Sequence, residues 1–408
     1  MTTTATKYDA GQIRQSEAAH VLQTYRRAPV VLVRGQGVRV WDTEGTEYID
    51  LTSGVGVASL GHANPGLAKV IAEQATVLVH TSNLFFHPFQ GELAEKLSRL
   101  SGLDRAFFCN SGTEAVEACL KFARRYWFTN GQPRRTGFVA LSHAFHGRTF
   151  GSLSVTADPH YRDPFGPLVA GATFVDTSDP AALDTAVSET TAAIVLEPIQ
   201  GEGGVRPLSA EFAAAVRAAA ARTGALVIAD EVQSGLGRTG KAFFAPELGL
   251  EPDLVAVGKA LGAGIPIGAA LLRERIAAAI SPGDHGSTYG GNLLACRAGI
   301  YFVDQLLDGG LLDHVRRVGA HCERLLGELA ARQPMIKKIR GRGLMWGLEI
   351  DRPAADVVEA ARPLGLLANA TAETVVRLLP PLTITDTEVD EAVSRLDAAM
   401  TAVAGGTR

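Results

Sequence analysis

The sequence predicts an α/β fold in which a mostly parallel β-sheet is covered by helices on both faces. Between residues 104 and 272, short apolar runs alternate with longer segments of helical periodicity. The apolar runs are continuous, which is typical of strands that are buried on both faces. At 408 residues the chain exceeds the usual size of one compact core, so we expect a large domain with a smaller one beside it.

Seven strands and three helices are predicted in this central segment. The strand segments are RAFFC, GFVAL, ATFV, AAIVLEP, ALVIADE, LVAVG and GAALL. The helical segments are GTEAVEACLKFARRYWF, AALDTAV and SAEFAAAVRAAAART. Strands that are separated by helices favour parallel pairing.

The two ends of the chain have a different pattern. The segment VRGQGVRVWDTEGTEYIDLTSG predicts a small antiparallel meander with turns at GQG and TEGT. After Asn292 come long helices, then strands in KKIRGRGLMWGLEI and TVVRLLPPL, then a closing helix from Asp386. We therefore predict a large domain over 61–290 and a smaller α+β domain built from 1–60 and 291–408.

Composition and charge exclude several classes of partner. The formal net charge is −4 without a basic tract, so nucleic acid is not expected to bind. The sequence contains no run of about 18 apolar residues, so no membrane span is expected. The polar start predicts no secretory signal. The four cysteines form neither a CxxC pair nor a metal-ligand spacing, so we expect buried, reduced thiols in a cytoplasmic protein.

Charged residues follow two of the predicted strands. The apolar run ALVIADE ends at Asp230 and Glu231, and Lys259 follows the run LVAVG. In open α/β sheets, ligands bind at the carboxyl ends of strands. A buried carboxylate there needs a positive partner. Because side chains alternate along a strand, only one of the two acids faces the ligand, and the sequence leaves both open.

Lys259 stands in an apolar, glycine-rich segment, VAVGKALGAGIPIG. Such surroundings disfavour the charged amine, which lowers its pKa and makes it nucleophilic. An acid that pairs with a ring nitrogen and a lysine that holds an aldehyde are what a pyridine cofactor bound as a Schiff base requires. The alternative is a lysine that extends from a strand end into solvent.

Two glycine-rich segments suit a phosphate group. NSGTEA places Ser111, Gly112 and Thr113 at the start of a predicted helix, where free N–H groups and the helix dipole favour an anion. GSTYGGN places Ser287 and Thr288 in a loop of similar character. Taken alone, each is explained as well by a helix cap or a flexible connection. Together with the acid and the lysine, they indicate pyridoxal 5′-phosphate.

Further segments supply an aromatic ring and two arginines. In HAFHGRT, Phe145 can stack on a cofactor ring and Arg148 can bind a carboxylate bidentately. LEPIQGEGG holds Glu197 and Glu202, and VVRLLPPL holds Arg377. An acid of the first segment and the arginine of the second predict either a gate for a substrate carboxylate or a static salt bridge.

Three competing interpretations are weaker. The segment GLGRTGK nearly matches a P-loop, but Ala242 replaces the hydroxyl that binds Mg²⁺ and no helix is predicted to follow. His143 and His146 suggest a metal site, but no acid stands at ligand spacing, so none is expected. A scaffold without activity is disfavoured because lysine, acid, phosphate loops and arginines occur together.

Taken jointly, these segments resemble the class III, or ornithine-type, aminotransferases. The motifs NSGTEA, HAFHGRT, EPIQGEGG, ADEVQSGLGRTG, GKALGAGIPIG, GSTYGGN and VVRLLPPLTIT occur in the family's order. The resemblance runs from about Val31 to the last helix. It implies the type I pyridoxal-phosphate transferase fold, amino acids and 2-oxo acids as substrates, and a homodimer with shared active sites.

The resemblance also implies a role for each candidate residue. It assigns cofactor contacts to Ser111, Gly112, Thr113, Phe145, Asp230, Gln233, Lys259 and Thr288, and substrate contacts to Val55, Arg148, Glu202, Ser287 and Arg377. Lys259 becomes the Schiff-base lysine, Asp230 the partner of the pyridine nitrogen and Gln233 that of the ring hydroxyl. Thr288 is expected to reach the phosphate of the partner subunit's cofactor. Glu202 and Arg377 match the family's gating pair.

The identity of the substrate depends on one position. Family members that act on ornithine carry a tyrosine where this chain has Val55. An apolar residue suits an acylated α-nitrogen, which has no charge to satisfy. The resemblance therefore favours transfer of the terminal amino group of N2-acetyl-L-ornithine to 2-oxoglutarate, a reaction of arginine biosynthesis. Succinylornithine, N-succinyl-diaminopimelate and other omega-amino acids stay open.

Overall fold

The computed structural model of the chain describes residues 8–405, in which helices and strands alternate. The α-helices are α1 (Ala10–His20), α2 (Ser53–Gly56), α3 (Pro65–Ala75), α4 (Pro88–Ser101), α5 (Gly112–Thr129), α6 (Phe150–Ser154), α7 (Pro159–Arg162), α8 (Pro180–Ala186), α9 (Ala210–Thr223), α10 (Glu274–Ala277), α11 (Leu293–Leu307), α12 (Leu311–Arg332), α13 (Ala354–Ala361) and α14 (Asp386–Gly405). Short 3₁₀ turns cover Asp163–Phe165, Ala245–Leu248, Lys259–Gly262 and Arg362–Leu364.

The strands fall into one large sheet and three small ones. They are β1 (Leu32–Gln36), β2 (Arg39–Asp42), β3 (Glu47–Asp50), β4 (Arg105–Cys109), β5 (Gly137–Leu141), β6 (Ala172–Val175), β7 (Thr191–Leu196), β8 (Ile199–Gln200), β9 (Arg206–Pro207), β10 (Leu226–Asp230), β11 (Leu254–Val257), β12 (Gly268–Leu272), β13 (Ile336–Arg342), β14 (Met345–Ile350), β15 (Leu366–Leu367), β16 (Asn369–Thr371) and β17 (Val375–Leu378).

The large sheet has the order β4-β12-β11-β10-β7-β5-β6. All seven strands that the sequence predicts in the central segment are present, and the sheet is mostly parallel, as expected. Strand β12 is the exception, since it runs antiparallel to both β11 and β4. The connection over 258–267 explains this reversal, because a parallel crossover needs about a dozen residues or more.

The carboxyl ends of β4, β5, β7, β10 and β11 lie at one edge of this sheet. Every residue of β7, β10 and β11 is buried, which agrees with their continuous apolar sequences. Helix α5 packs across the sheet with an apolar face that includes Val116, Cys119 and Phe122. The loops that follow these strands therefore converge at the same edge.

Of the two four-stranded sheets, one combines strands from both ends of the chain and the other comes from its C-terminal part. The predicted meander is present as β1, β2 and β3, and the late strand β15 pairs in parallel with β3. Strands β13, β14, β17 and β16 form an antiparallel sheet, in which β14 and β17 are central. The predicted closing helix begins at Asp386. The boundaries that the sequence suggests for the two domains stay a prediction.

The four cysteines, Cys109, Cys119, Cys296 and Cys322, are buried and unpaired, as the sequence predicts. Burial raises the pKa of each thiol, which disfavours the reactive thiolate. Within residues 8–405, no helix combines the length and the apolar character that crossing a membrane requires.

Candidate active site

Lys259 begins a 3₁₀ turn directly after β11, at the carboxyl edge of the large sheet. Its φ of +37° lies in a region that non-glycine residues rarely adopt, so the surrounding structure must hold it there. Burial lowers the pKa of Lys259, and the charges of Asp230 and Glu202 offset only part of that effect. The site thus favours the neutral, nucleophilic amine that the sequence predicts.

Asp230 is the last residue of β10 and is 5% exposed. Its Oδ1 accepts a hydrogen bond from the N–H of Val232 at 3.0 Å, and its Oδ2 lies 2.8 Å from Nδ1 of His146. Burial alone would lower the pKa of His146, but the hydrogen bond and charge of Asp230 raise it overall. Sequence analysis considered His146 only as a metal ligand and missed this pairing, for which the sequence carries no separate signal.

Glu231, the competing acid, faces a different set of groups. Its Oε1 accepts hydrogen bonds from the N–H groups of Phe244 and Ala245, both at 2.7 Å, and its Oε2 accepts one from the hydroxyl of Ser234 at 2.5 Å. Burial raises the pKa of Glu231 to about 7. Glu231 therefore anchors the loop after β10, which leaves Asp230 as the acid beside Lys259.

Helix α5 begins at the carboxyl edge of the large sheet, next to the loop after β10. Ser111 caps the helix, since its Oγ accepts a hydrogen bond from the N–H of Glu114 at 3.3 Å. Gly112 is required for close packing, because an added Cβ would lie 2.5 Å from a methyl group of Val232. The Thr113 hydroxyl lies 2.7 Å from that of Ser152. The helix start is half-buried, so its N–H groups and dipole suit an anion.

Arg148 and Phe145 lie on the loop after β5. The guanidinium of Arg148 stacks on Tyr161, with 3.6 Å between its Cζ and the ring centroid, and it is exposed. Phe145 lines a cavity of about 820 Å³ together with Tyr161 and Glu202. Tyr161 is a second residue that sequence analysis missed, because nothing in its local sequence marks it.

Glu197 is a buried acid that supports the loop carrying Phe145. Its Oε1 accepts a hydrogen bond from the N–H of Phe145 at 2.9 Å, and its Oε2 accepts one from the N–H of Gly201 at 3.0 Å. Burial raises the pKa of Glu197 to about 7. Of the two acids in LEPIQGEGG, Glu197 therefore fixes the backbone of two loops.

Glu202 forms the ion pair with Arg377 that the sequence predicts. The distance between Oε1 and Nη1 is 2.5 Å. Burial would raise the pKa of Glu202, but the charge of Arg377 lowers it overall. Gln233 lies between them, with its Nε2 3.4 Å from Glu202 and its Oε1 3.3 Å from Nη1 of Arg377. Whether the pair opens as a gate stays a prediction.

Val55 lies in α2, the four-residue segment Ser53–Gly56, whose backbone forms a left-handed turn that borders Lys259. Ser53, Gly54, Val55 and Gly56 all have positive φ, with values of 43°, 63°, 62° and 82°. This conformation is unusual for a β-branched residue. The Val55 side chain packs on an apolar cluster, and a Cβ added at Gly56 would lie 4.0 Å from Cδ of Lys259.

Ser287 and Thr288 occupy the connection between α10 and α11. The Oγ of Ser287 accepts hydrogen bonds from the N–H of Gly290 at 3.0 Å and from Nδ2 of Asn110 at 3.2 Å. This contact places Ser287 next to the start of α5. Thr288 is exposed, and its contact with a partner subunit stays a prediction.

The P-loop interpretation is not supported by the segment around Gly240. Lys241 pairs with Glu247 at 3.1 Å. Arg238 is buried and donates to the carbonyl oxygens of Leu344 and Pro380, and burial lowers its pKa to about 9. A short 3₁₀ turn follows in place of the long helix that a phosphate-binding loop requires. The segment thus connects the loop after β10 to distant backbone.

These groups fit pyridoxal 5′-phosphate. The buried Asp230 carboxylate suits a protonated pyridine nitrogen, and the depressed pKa of Lys259 suits an amine that bonds to an aldehyde. The half-buried start of α5 suits the phosphate. Within the part of the chain that the structure describes, the buried Nε2 of His146, beside Asp230, has no hydrogen-bond partner.

Comparison with known proteins gives consistent results. The family profile of Aminotransferase class-III matches residues 21–400. The acetylornithine aminotransferase of Aquifex aeolicus is 46% identical over 92% of this chain and 98% of its own length. That of Archaeoglobus fulgidus is 45% identical over 93% of this chain and 98% of its own.

Solved structures agree with the sequence relatives. The ornithine aminotransferase from Toxoplasma gondii has a TM-score of 0.93 and 34% identity, with 98% of this chain and 96% of that chain covered. Another structure of that protein has partial occupancy of PLP at its active site. The acetylornithine aminotransferase from Elizabethkingia anophelis has a TM-score of 0.86 and 30% identity, with 97% of this chain and 100% of that chain covered.

The contrast between the two acids after β10 can be tested by substitution. We expect Asp230→Asn to weaken binding of pyridoxal 5′-phosphate roughly 10- to 100-fold, because a charge-assisted pairing is lost. We expect Glu231→Ala to lower the free energy of unfolding by about 2–4 kcal/mol, because buried donors lose their acceptor. Titration of cofactor-free protein measures the first effect, and urea unfolding measures the second. Equal weakening of cofactor binding in both variants would contradict the assignment.

Proposed function

Since the chain belongs to the class III aminotransferases, we propose that it transfers the terminal amino group of N2-acetyl-L-ornithine to 2-oxoglutarate. The products are N-acetyl-L-glutamate 5-semialdehyde and L-glutamate. Family membership confirms the fold class and the cofactor expected from the sequence. The substrate assignment is supported by the names of relatives that are 43–46% identical over more than nine-tenths of the chain.

One observation carries the proposal. Three groups lie close together at one edge of the sheet: the nucleophilic Lys259, the buried Asp230 and the paired Arg377. An enzyme that accepts two different amino donors in turn needs one reacting centre and more than one way to bind a carboxylate. The site contains both.

Pyridoxal 5′-phosphate supplies an aldehyde and an electron-withdrawing ring that stabilises negative charge on the substrate carbon. Asp230 would pair with the ring nitrogen in its protonated form, and Lys259 would hold the aldehyde. The N–H groups of Gly112 and Thr113 would bind the phosphate. Phe145 would cover one face of the ring. Gln233 is assigned to the ring hydroxyl from the family pattern and also contacts the Glu202–Arg377 pair.

Lys259 is also the proposed acid and base. Its lowered pKa favours the neutral amine, whose Nζ would accept the proton from the substrate carbon. The same Nζ then returns the proton at the neighbouring position. The apolar Val55 side chain packs on a buried cluster that includes Ile199 and Leu379, which restricts water on this side of the site.

Two arginines bind the substrate carboxylates in this proposal. Arg148 stacks on Tyr161 and presents an exposed guanidinium, which suits a carboxylate of either donor. Arg377 is neutralised by Glu202, which suits acetylornithine. Glutamate reacts through its α-amine and brings a second carboxylate near the reacting carbon, so Arg377 becomes its partner when Glu202 turns away.

A homodimer with shared sites is the proposed assembly. Leu84, Phe85 and Phe86 are each at least 68% exposed, which is unusual for three consecutive large apolar side chains. The adjacent Asn83 donates from Nδ2 to the carbonyl oxygens of Ser287 and Gly290, at 3.1 Å and 2.9 Å. The exposed patch thus borders the loop that carries Thr288.

The free thiols suit the reducing cytoplasm, where arginine biosynthesis would place the enzyme.

A panel of amino donors tests the proposed substrate. We expect kcat/KM for acetylornithine to exceed that for ornithine roughly 10- to 100-fold, because Val55 offers nothing to the charged α-amino group of ornithine. Succinylornithine, N-succinyl-diaminopimelate and 4-aminobutyrate complete the panel. In Val55→Tyr we expect the ratio to shift toward ornithine. A preference for a succinylated donor would replace the acetyl assignment, and absence of transfer from every donor would refute the function.

Removing each arginine separately tests the gate. We expect Arg377→Ala to lower kcat/KM of the glutamate half-reaction roughly 30- to 1000-fold, with a far smaller effect on acetylornithine. We expect Arg148→Ala to damage both half-reactions. Single-turnover absorbance changes of the bound cofactor measure each half separately. Equal losses in both halves for Arg377→Ala would leave a static salt bridge as the better explanation.

Hybrid dimers test whether Thr288 serves the partner subunit. Lys259→Ala and Thr288→Ala subunits with different affinity tags are combined, and the hybrid is purified. We expect activity to return, because one site receives both defects and the other receives none. The matched control combines Lys259→Ala with Asp230→Ala, which lie in the same site, so its hybrid should stay inactive. A verified Lys259–Thr288 hybrid without activity would contradict the shared site.

A further inference from the structure

The Glu202–Arg377 pair is asymmetric in its burial. The guanidinium side chain is 1% exposed, whereas the glutamate side chain is 35% exposed and faces the cavity of about 820 Å³. A fully buried guanidinium has no water within reach to replace its contacts, whereas a partly exposed carboxylate can exchange its partner for water. Separation of the pair therefore requires Glu202 to move and Arg377 to stay.

Arg377 has contacts that do not depend on Glu202. Its Nε donates to Oδ1 of Asn369 at 3.3 Å, and its Nη1 donates to Oε1 of Gln233 at 3.3 Å. Asn369 lies directly opposite Arg377 in the register of β16 and β17. The strand pairing therefore holds the acceptor at a fixed place beside the guanidinium.

The backbone of Glu202 is held as firmly as the arginine. Its carbonyl oxygen accepts a hydrogen bond from Oγ1 of Thr371 at 2.5 Å. The next carbonyl oxygen, that of Gly203, accepts one from Nε of Arg206 at 2.7 Å. Gly203 itself is tightly enclosed, because an added Cβ would lie 2.6 Å from the carbonyl oxygen of His143.

The ends of the same turn have similar anchors. The N–H of Gly201 donates to Glu197, and the carbonyl oxygen of Gly204 accepts a hydrogen bond from Nε of Arg340 at 3.2 Å. Four backbone groups of this turn bond to side chains, which restrains the turn from moving as a flap. Rotation of the Glu202 side chain is the motion that remains.

Both halves of the pair thus depend on one short strand. Asn369 and Thr371 are two residues apart on β16, so their side chains leave the same face of the strand. We propose that β16 positions both members of the ion pair, with Asn369 aligning Arg377 and Thr371 holding the backbone of Glu202. These two positioning residues then determine which carboxylates the site accepts. This inference rests on the proposed function, in which the enzyme alternates between acetylornithine and glutamate.

The two positions have opposite consequences for the two donors. Without the Asn369 acceptor, the guanidinium of Arg377 is less well aligned for the glutamate carboxylate. Without the Thr371 hydroxyl, the Glu202 turn loosens and its carboxylate masks Arg377 less well. The first change disfavours glutamate, and the second disfavours acetylornithine.

The experiment measures both half-reactions by single-turnover absorbance, and it measures equilibrium binding of glutarate, a dicarboxylate without an amine, by calorimetry. We expect Asn369→Ala to lower kcat/KM of the glutamate half-reaction about 10-fold and to weaken glutarate binding by a similar factor. We expect Thr371→Val to lower kcat/KM of the acetylornithine half-reaction about 5-fold and to strengthen glutarate binding several-fold. Thr371→Ser retains the hydroxyl and should restore both values.

Thr374→Val is the matched control, because its hydroxyl lies in the same hairpin and donates to the carbonyl oxygen of Ala372, at 3.5 Å, rather than to Glu202 or Arg377. We expect neither half-reaction to change more than about 2-fold in this variant. Equal losses in both half-reactions for Asn369→Ala and Thr371→Val, or glutarate binding that is unchanged in both, would overturn the inference. If the wild-type enzyme fails to react with acetylornithine, the proposed function fails, and the glutarate measurements still decide whether β16 positions the pair.

Discussion

The buried carboxylate of Asp230 constrains the elements around it. A charge at 5% exposure must be compensated, and His146 compensates it from one side. The loop after β5 is therefore held against the end of β10, which places Phe145 and Arg148 at the same edge of the sheet. Lys259 experiences the same charge from the end of β11. The position of this acid thus organises the site before any cofactor binds.

Backbone strain is concentrated next to this acid. Lys259 has a φ of +37°, and the left-handed turn that includes Val55 borders it. Asp50 supports that turn, since its Oδ1 accepts hydrogen bonds from the N–H groups of Thr52 and Ser53 at 2.8 Å and 2.9 Å. Strained conformations persist where their surroundings over-determine them, and they cluster at functional sites. The strained turn places Gly56 close to the Lys259 side chain, in a conformation that local propensity does not favour.

Four acids in similar segments have different roles because their partners differ. Glu197 and Glu231 accept backbone hydrogen bonds, and burial raises the pKa of each to about 7. The pKa of Glu202 is lowered because it pairs with Arg377, and Asp230 pairs with His146. Two of these acids therefore maintain loop geometry, Glu202 presents its charge to the cavity, and Asp230 presents its charge to His146 and Lys259. The chemistry of the site depends on this division, since an additional charged carboxylate beside Lys259 would raise its pKa.

By itself, the sequence determined the seven strands of the large sheet, the meander, the closing helix and the residue types of the site, because hydrophobic periodicity and motif spacing act over neighbouring residues. The residue pattern alone left open whether Asp230 or Glu231 faces Lys259, and whether Glu197 or Glu202 pairs with Arg377; only the resemblance to the family favoured Asp230 and Glu202. The sequence also carried no indication that β12 is reversed or that His146, Tyr161, Asn369 and Thr371 contribute. The tertiary structure decided these points, because each depends on contacts between segments far apart in the chain. A one-residue difference on a strand changes the face of a side chain, and only the assembled sheet determines what that face contacts.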